Sequence, residues 1–270
     1  MISKVSAGTI ESMPSELFDL SGRVAVVMGG TSGIGRALAL GFAETGADVV
    51  ASGRREPLVN DVAAEIEKLG RKSLRVSVDA SSRDSIDALR DRVTAEFGRV
   101  DILLNAAGQT FRKPTHLVSE TEWARTMDVN VTGMLRACQS FYEPLAQSGR
   151  GRIVNIASLT SFVGFLEVTA YSASKAAVLG LTRNLAVEWA RNNICVNAIA
   201  PGVFRTELNS GLLDGTDRGR ELLLRTPMKR FGDVRELVGA AILLASNAAS
   251  FITGQCIAVD GGFLASGVNS

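Results

Sequence analysis

The chain holds 270 residues, 46% hydrophobic and 21% charged, enough for a sizeable buried core in one large domain. Lys and Arg number 29 against 28 Asp and Glu, a formal net charge of +1, so the basic field that drives non-specific nucleic-acid binding is missing. A single histidine (His116) and three scattered cysteines (Cys138, Cys195, Cys256) exclude a histidine-rich metal site, a zinc spacing and a disulfide framework, and they point to a reducing, cytoplasmic setting.

Residues 1–17 carry no apolar stretch of signal-peptide length and are expected to form a loose tail ahead of one domain spanning 18–270. RVAVVM (Arg23–Met28) reads as a strand, and IGRALALGFAETG (Ile34–Gly46) follows with apolar residues three and four apart, the period of a helix. DVVAS (Asp48–Ser52) precedes a charged helix around VAAEIEKLG, and LRVSV (Leu74–Val78) precedes a helix around IDALRDRVTAEFG. DILLN (Asp101–Asn105) leads through a loop into one long helix from about Glu120 to Ala146. RIVNIAS (Arg152–Ser158) and ICVNAIA (Ile194–Ala200) bracket a helix from about Ala170 to Asn192. LVGAAILLA (Leu237–Ala245) is far shorter than a membrane span and reads as a packed helix, and QCIAVD (Gln255–Asp260) is the last strand-like run. Seven apolar runs alternating with helices predict an α/β fold: a single doubly wound, Rossmann-type domain with a seven-stranded parallel sheet and helices on both faces. The Gly- and charge-rich stretch from Phe204 to Arg230 is expected to be a lid.

The first strand runs into MGGTSGIGR, with glycines at 29, 30, 33 and 35 where the next helix begins. Lacking side chains, such a turn lets the backbone approach a pyrophosphate, while the helix N-terminus offers free N–H groups and the positive end of its dipole. No Gly-Lys-Ser/Thr follows, so a nucleoside-triphosphatase loop is excluded. Cofactor choice is read at the end of the second strand, where an NAD site places a carboxylate for the ribose hydroxyls. Here the residues are Gly53, Arg54 and Arg55, and two guanidiniums without a carboxylate suit a 2′-phosphate: NADP is favoured, with NAD the alternative.

Tyr171 and Lys175 lie four apart near a helix start and so share one face. An unperturbed tyrosine titrates near ~10, and a neighbouring ammonium favours its phenolate, which tunes it to exchange a proton with an alcohol or carbonyl oxygen. Ser158 ends its strand at the carboxyl edge, where open α/β sheets bind ligands, and the NAAG stretch from Asn105 to Gly108 ends another strand at the same edge. Asn130 lies in the helix beyond.

These motifs, in order from about Leu20 to Phe263, resemble the short-chain dehydrogenase/reductase family. The resemblance implies that Tyr171 is the catalytic acid/base and that Lys175 lowers its pKa and holds the nicotinamide ribose. It implies that Ser158 hydrogen-bonds the substrate oxygen, and that Asn130 bends its helix and holds a proton-relaying water. It also implies cofactor contacts from Gly29, Thr31, Ser32, Gly33, Ile34 and Gly35 in the first loop, from Asp79 and Ala80 at the adenine, and from Asn105, Ala106 and Gly108. Pro201, Gly202, Val203 and Thr206 would embrace the nicotinamide. No metal is implied, and the expected assembly is a homotetramer built on the long helices and the C-terminal segment. Met28 replaces the usual Thr before the first glycine, and NAAG replaces NNAG.

The loops FRKPTH, with Phe111, Arg112, Lys113 and His116, and SFVGFLEV, with Phe162, Phe165 and Glu167, should choose the substrate together with the lid. Basic groups in the first loop suit either the carboxylate of a sugar acid or plain surface charge. RTPMKRFGDVRELVGAAILLAS and IAVDGG look most like sugar-acid dehydrogenases such as gluconate 5-dehydrogenase and are also similar to 3-oxoacyl-carrier-protein reductases. The non-enzymatic alternative, a cofactor-binding redox sensor, is opposed by the Ser158, Tyr171 and Lys175 set.

Overall fold

Strand β1 (Val24–Met28) is buried at every position, as a central strand covered on both faces must be. In this computed structural model, which describes residues 14–206 and 210–268, β1 pairs in parallel with β2 (Asp48–Ser52) on one side and β3 (Ile102–Asn105) on the other. Strands β4 (Gly151–Ile156), β5 (Ile194–Pro201) and β6 (Cys256–Val259) add outward in turn, all parallel, giving the order β2-β1-β3-β4-β5-β6.

The two-residue period of the strands sorts their side chains onto two cores. Ala25 and Val27 face a core built with α1 (Gly33–Glu44), α2 (Glu56–Lys68) and a helix near the C-terminus. Val24, Val26 and Met28 face the other, built with α3 (Arg83–Phe97) and helices from the middle of the chain. Those middle helices are α4 (Glu120–Met127), α5 (Gly133–Ser140), α6 (Tyr142–Gln147) and the long α7 (Thr169–Trp189). The remaining two are α8 (Asp217–Arg225) and α9 (Val238–Ala245), the latter packing its Ala241 and Leu244 on the first core. Among the described residues no helix is long and apolar enough to cross a membrane.

The sheet has six strands rather than the expected seven. LRVSV runs alongside β2, with Val49 N–H donating to the Lys72 carbonyl at 3.0 Å and Val78 N–H to the Gly53 carbonyl at 3.0 Å, but between those ends the Ser52 hydroxyl takes the Val76 carbonyl and no regular ladder forms. Its alternate residues face outward, with Arg75 reaching Glu67 at 2.6 Å. The single long helix expected from Glu120 to Ala146 is instead three helices, interrupted by a π turn over Asp128–Thr132 and restarted at Tyr142 ahead of Pro144. The stretch from Phe204 to Arg230 is not featureless. Phe204 bridges to Gly232, a helical turn covers Ser210–Leu213, and α8 follows; residues 207–209 lie outside the described residues. Of the expected tail, residues 1–13 also lie outside them, and Pro14–Leu17 form one helical turn.

Candidate active site

The carboxyl ends of β1, β2, β3, β4 and β5 share one edge of the sheet, and the loops leaving them meet there. After Met28 the chain turns at Gly29 with φ +77, and the N–H groups of Gly29 and Gly30 both donate to the Ser52 carbonyl, at 2.8 and 3.0 Å. A Cβ on Gly29 would lie 2.6 Å from the Ala107 nitrogen, and one on Gly35 would collide with the Gly29 carbonyl oxygen. Only glycine permits this closeness, which seats the loop directly on the NAAG segment. Ser32 caps α1 without a side-chain bond to it, so the helix N-terminus can meet an anion with its own N–H groups. Ile34 packs inward and anchors the first turn.

Thr31 is buried against Gly53, and Arg55 donates to the Ser32 hydroxyl at 3.2 Å, which holds one guanidinium beside the loop. Arg54 lies within electrostatic reach of Asp79, whose carboxyl is held below its ordinary value by hydrogen bonds from the Ser81 hydroxyl and amide. Ala80 follows, close under Gly133. From the far side, the Thr206 methyl approaches to 3.8 Å of where a Gly33 Cβ would stand, so the chain leaving Pro201 folds over the glycine loop. Gly202 is fixed by its N–H to the Val259 carbonyl at 2.8 Å, and Val203 packs with Phe263 and Leu159. A glycine-walled cradle flanked by two arginines at the end of β2 fits NADP.

Ser158 stands just past β4, where Ala157 N–H donates to the Ile199 carbonyl at 2.8 Å. Its hydroxyl accepts from Thr160 N–H at 3.2 Å and lies near enough to the Tyr171 phenol to act on its titration. Tyr171 is in the first turn of α7, and Lys175, one turn on, places its ammonium 5.7 Å from the Tyr171 ring centre. That ammonium donates to the Ile156 carbonyl at 2.7 Å. A Cβ on Gly108 would lie 3.7 Å from the same nitrogen, so the NAAG loop covers it. Asn130 is fully buried in the π turn; its carbonyl oxygen accepts from Gln109 N–H at 2.8 Å and its amide donates to the Ser174 hydroxyl at 2.9 Å. Ser174 in turn donates to the Tyr171 carbonyl at 2.7 Å, which ties the loop after β3 to the helix carrying the phenol.

Burial pushes the Tyr171 phenol above its ordinary value of 10, with the Ser158 hydrogen bond opposing, and pushes the Lys175 ammonium down to about 8. The sequence reading expects the phenol to be lowered by Lys175, whereas burial raises it here. The ammonium is aimed at the Ile156 carbonyl, so desolvation of the phenol dominates. At neutral pH the phenol is therefore a proton donor, set beside a hydroxyl that can bond the same acceptor oxygen.

Not every residue singled out in the sequence turns its side chain to this edge. The Asn105 amide is buried against Asn155 Oδ1 at 2.9 Å and Cys138 Sγ at 3.5 Å, and Ala106 N–H donates to the Met28 carbonyl at 2.9 Å. His116 sits exposed in a short turn (Thr115–Leu117). Lys113 is bound to Glu122 at 2.8 Å. Sequence reasoning missed Gln109, Ser161 and Ser174. Ser161 donates to the Lys175 carbonyl at 2.7 Å, and only the three-residue spacing of Ser174 from Tyr171 on α7 could have signalled any of them.

A family model described as enoyl-(acyl carrier protein) reductase matches residues 29–264. The chain is 42% identical over 249 residues to a 2-dehydro-3-deoxy-D-gluconate 5-dehydrogenase of Escherichia coli (strain K12), covering 92% of this chain and 98% of that relative. It is 37% identical over 251 residues to the gluconate 5-dehydrogenase of Gluconobacter oxydans (strain 621H), covering 93% and 98%. Its fold superposes with a TM-score of 0.90 on a gluconate 5-dehydrogenase from Burkholderia cenocepacia J2315 solved in complex with NADP and tartrate, at 36% identity over 94% of this chain and all of that one.

Proposed function

The chain belongs to the short-chain dehydrogenase/reductase family, and from that premise we propose that it interconverts a secondary hydroxyl of a sugar acid with the matching ketone, using NADP. The observation that carries the reaction class is the gathering of Ser158, Tyr171 and Lys175 on the sheet edge that also holds the glycine cradle. The substrate class is supported by relatives named as 5-dehydrogenases of gluconate and 2-dehydro-3-deoxy-D-gluconate.

When bound, NADP exchanges a hydride at its nicotinamide ring with the substrate carbon. In the reducing direction Tyr171 gives its phenolic proton to the carbonyl oxygen while Ser158 donates a hydrogen bond to the same oxygen as charge builds there. Lys175 keeps a positive charge next to the phenolate that results, and its ammonium would hold the nicotinamide ribose. Asn130 and Ser174 hold the start of α7 against the loop after β3, which fixes the phenol in place. Gly29, Gly33 and Gly35 with the α1 N-terminus would hold the pyrophosphate, Arg54 and Arg55 the 2′-phosphate, Asp79 and Ala80 the adenine, and Pro201 to Thr206 the nicotinamide. The segment 204–230, with α8, would act as the lid.

The test is nicotinamide absorbance with NADPH and NADH against 5-keto-D-gluconate, simple ketones and 3-oxoacyl thioesters. Fast NADPH oxidation with the keto sugar acid is expected. Turnover confined to thioesters would establish the second reading, a 3-oxoacyl-carrier-protein reductase, which the exposed apolar side chains of Phe162, Leu166, Leu224 and Met228 around the lid favour. We further infer a homotetramer working in the cytoplasm. Val187 on α7 and the fully exposed Phe251 offer apolar surface for assembly, and the three cysteines are unpaired. A monomer by light scattering would contradict the assembly.

A further inference from the structure

The lid helix α8 begins beside the loop that leads into α7. Arg218 lays its guanidinium 6.0 Å from the centre of the Phe165 ring and donates to the Leu166 carbonyl at 3.4 Å. Phe165 is itself braced by Phe263, the two ring centres 5.9 Å apart. On the same short stretch Arg112 pairs with Glu167 at 2.7 Å. The Arg218 guanidinium is half-buried, with Arg112 as its like-charged neighbour and Glu167 and Glu221 as the nearby acids. Arg112, from the loop after β3, pairs with Glu167, and Arg218, from the lid helix, bonds the residue before it and lies within electrostatic reach of the same carboxylate.

Glu167 is strained where it stands. Its φ is +65, a left-handed conformation unfavourable for a residue with a side chain, and it is kept there by Lys113 N–H on its carbonyl at 2.8 Å and by the Arg112 pair. Lys113, next to Arg112, is held by both carboxylate oxygens of Glu122, at 2.8 and 2.9 Å. The position also suits the chemistry of the pocket. Val168 caps α7 and Tyr171 lies in its first turn, so Glu167 is four residues from the phenol, at most ~14 Å along the backbone. The Thr115 and Thr169 hydroxyls, 2.6 Å apart, close the loop carrying Arg112 onto that helix start.

We propose that Arg218 and Arg112 are the receptor for the substrate's carboxylate, and that Glu167 is an internal anion holding the site until the substrate's carboxylate takes its place. This rests on the sugar-acid reading above, in which the carboxyl lies at the opposite end of the carbon chain from the reacting carbon. A guanidinium is suited to the task because its planar fork bonds both carboxylate oxygens at once. Since Arg218 is carried by the lid, binding the charge and closing the lid become one event.

The test compares 5-keto-D-gluconate with its methyl ester, the same skeleton without the charge, in wild type, Arg218→Met, Arg218→Lys and Glu167→Gln. Loss of a charge-assisted bidentate contact should lower kcat/KM for the acid by roughly 10–100-fold in Arg218→Met, through KM, and leave the ester within about threefold. Arg218→Lys should recover part of the loss. Glu167→Gln should lower KM for the acid, because the competing carboxylate is gone. Equal losses on acid and ester would overturn the proposal, since they mean that Arg218 only braces the lid. A raised KM for the acid in Glu167→Gln would overturn the role given to Glu167. Binding is read separately from turnover by the thermal shift that succinate gives the NADPH-loaded enzyme over chloride of equal ionic strength. A shift lost in Arg218→Met upholds the receptor even if no sugar acid is reduced, and no shift in wild type overturns it.

Discussion

Replacing Lys175 with methionine separates what this side chain does for the reaction from what it does to the fold. Lys175 is 4% exposed, and burial holds its ammonium at about 8 against an ordinary 10.5. At ~1.36 kcal/mol per unit, keeping that charge inside the folded protein costs ~3 kcal/mol at any pH below about 8. Because the folded-state value is the lower of the two, the unfolded chain binds more protons between pH 8 and 10.5, and wild-type stability climbs with pH through that window. Methionine has a similar stem and no charge, but it leaves the Ile156 carbonyl without its 2.7 Å donor, a loss of ~1 kcal/mol. The variant should therefore be more stable than wild type by ~2 kcal/mol at neutral pH and less stable by ~1 kcal/mol near pH 10.5, while being inactive throughout. Urea unfolding of both proteins without cofactor, followed by Trp123 and Trp189 fluorescence at matched protomer concentration, measures the difference as a function of pH. Titrations of groups distant from residue 175 cancel in that difference, and making the comparison in a Tyr171→Phe background removes that of the neighbouring phenol. A stability gap that stays constant from pH 8 to 10.5 would refute the reasoning.

Tyr171→Phe should abolish turnover while NADPH affinity, read by the cofactor's fluorescence, changes less than about threefold; residual turnover would remove the phenol from the proton transfer. Arg54→Ala combined with Arg55→Ala should lower kcat/KM for NADPH by roughly 10–100-fold and leave NADH nearly unchanged, since each guanidinium would contribute only where a phosphate is present. Equal losses with both cofactors would place these arginines outside the phosphate site. Gly35→Ala should destabilise by more than ~2 kcal/mol or eliminate NADPH binding, because the added methyl collides with the Gly29 carbonyl; wild-type Tm and affinity together would contradict the loop geometry.

The features legible in the sequence are those whose cause is local. The apolar runs of β1 to β6 announce themselves by β-branched composition, and the Gly29–Gly35 cluster by its place between a strand and a helix. Tyr171 and Lys175 are readable because four residues on a helix always share a face. What escaped depends on partners distant in sequence. LRVSV meets β2 through contacts that its own composition does not show, among them the Ser52 hydroxyl on the Val76 carbonyl. The break at Asp128–Thr132 is invisible to a helical period that runs straight through it. The direction of the Tyr171 shift depends on burial and on where Lys175 points, and neither is encoded in their spacing. Arg218 drew no notice because the ring and acid that give it meaning belong to another loop.

The strand order β2-β1-β3-β4-β5-β6 has a consequence for how the chain is made. Once β2 has settled on one side of β1, every later strand joins the opposite, still-open edge in the order in which it leaves the ribosome. No strand has to be threaded between two that are already paired. The glycine loop and the two arginines at the end of β2 are complete before Tyr171 has been synthesised, so the part proposed to hold the phosphates of the dinucleotide is built ahead of the phenol.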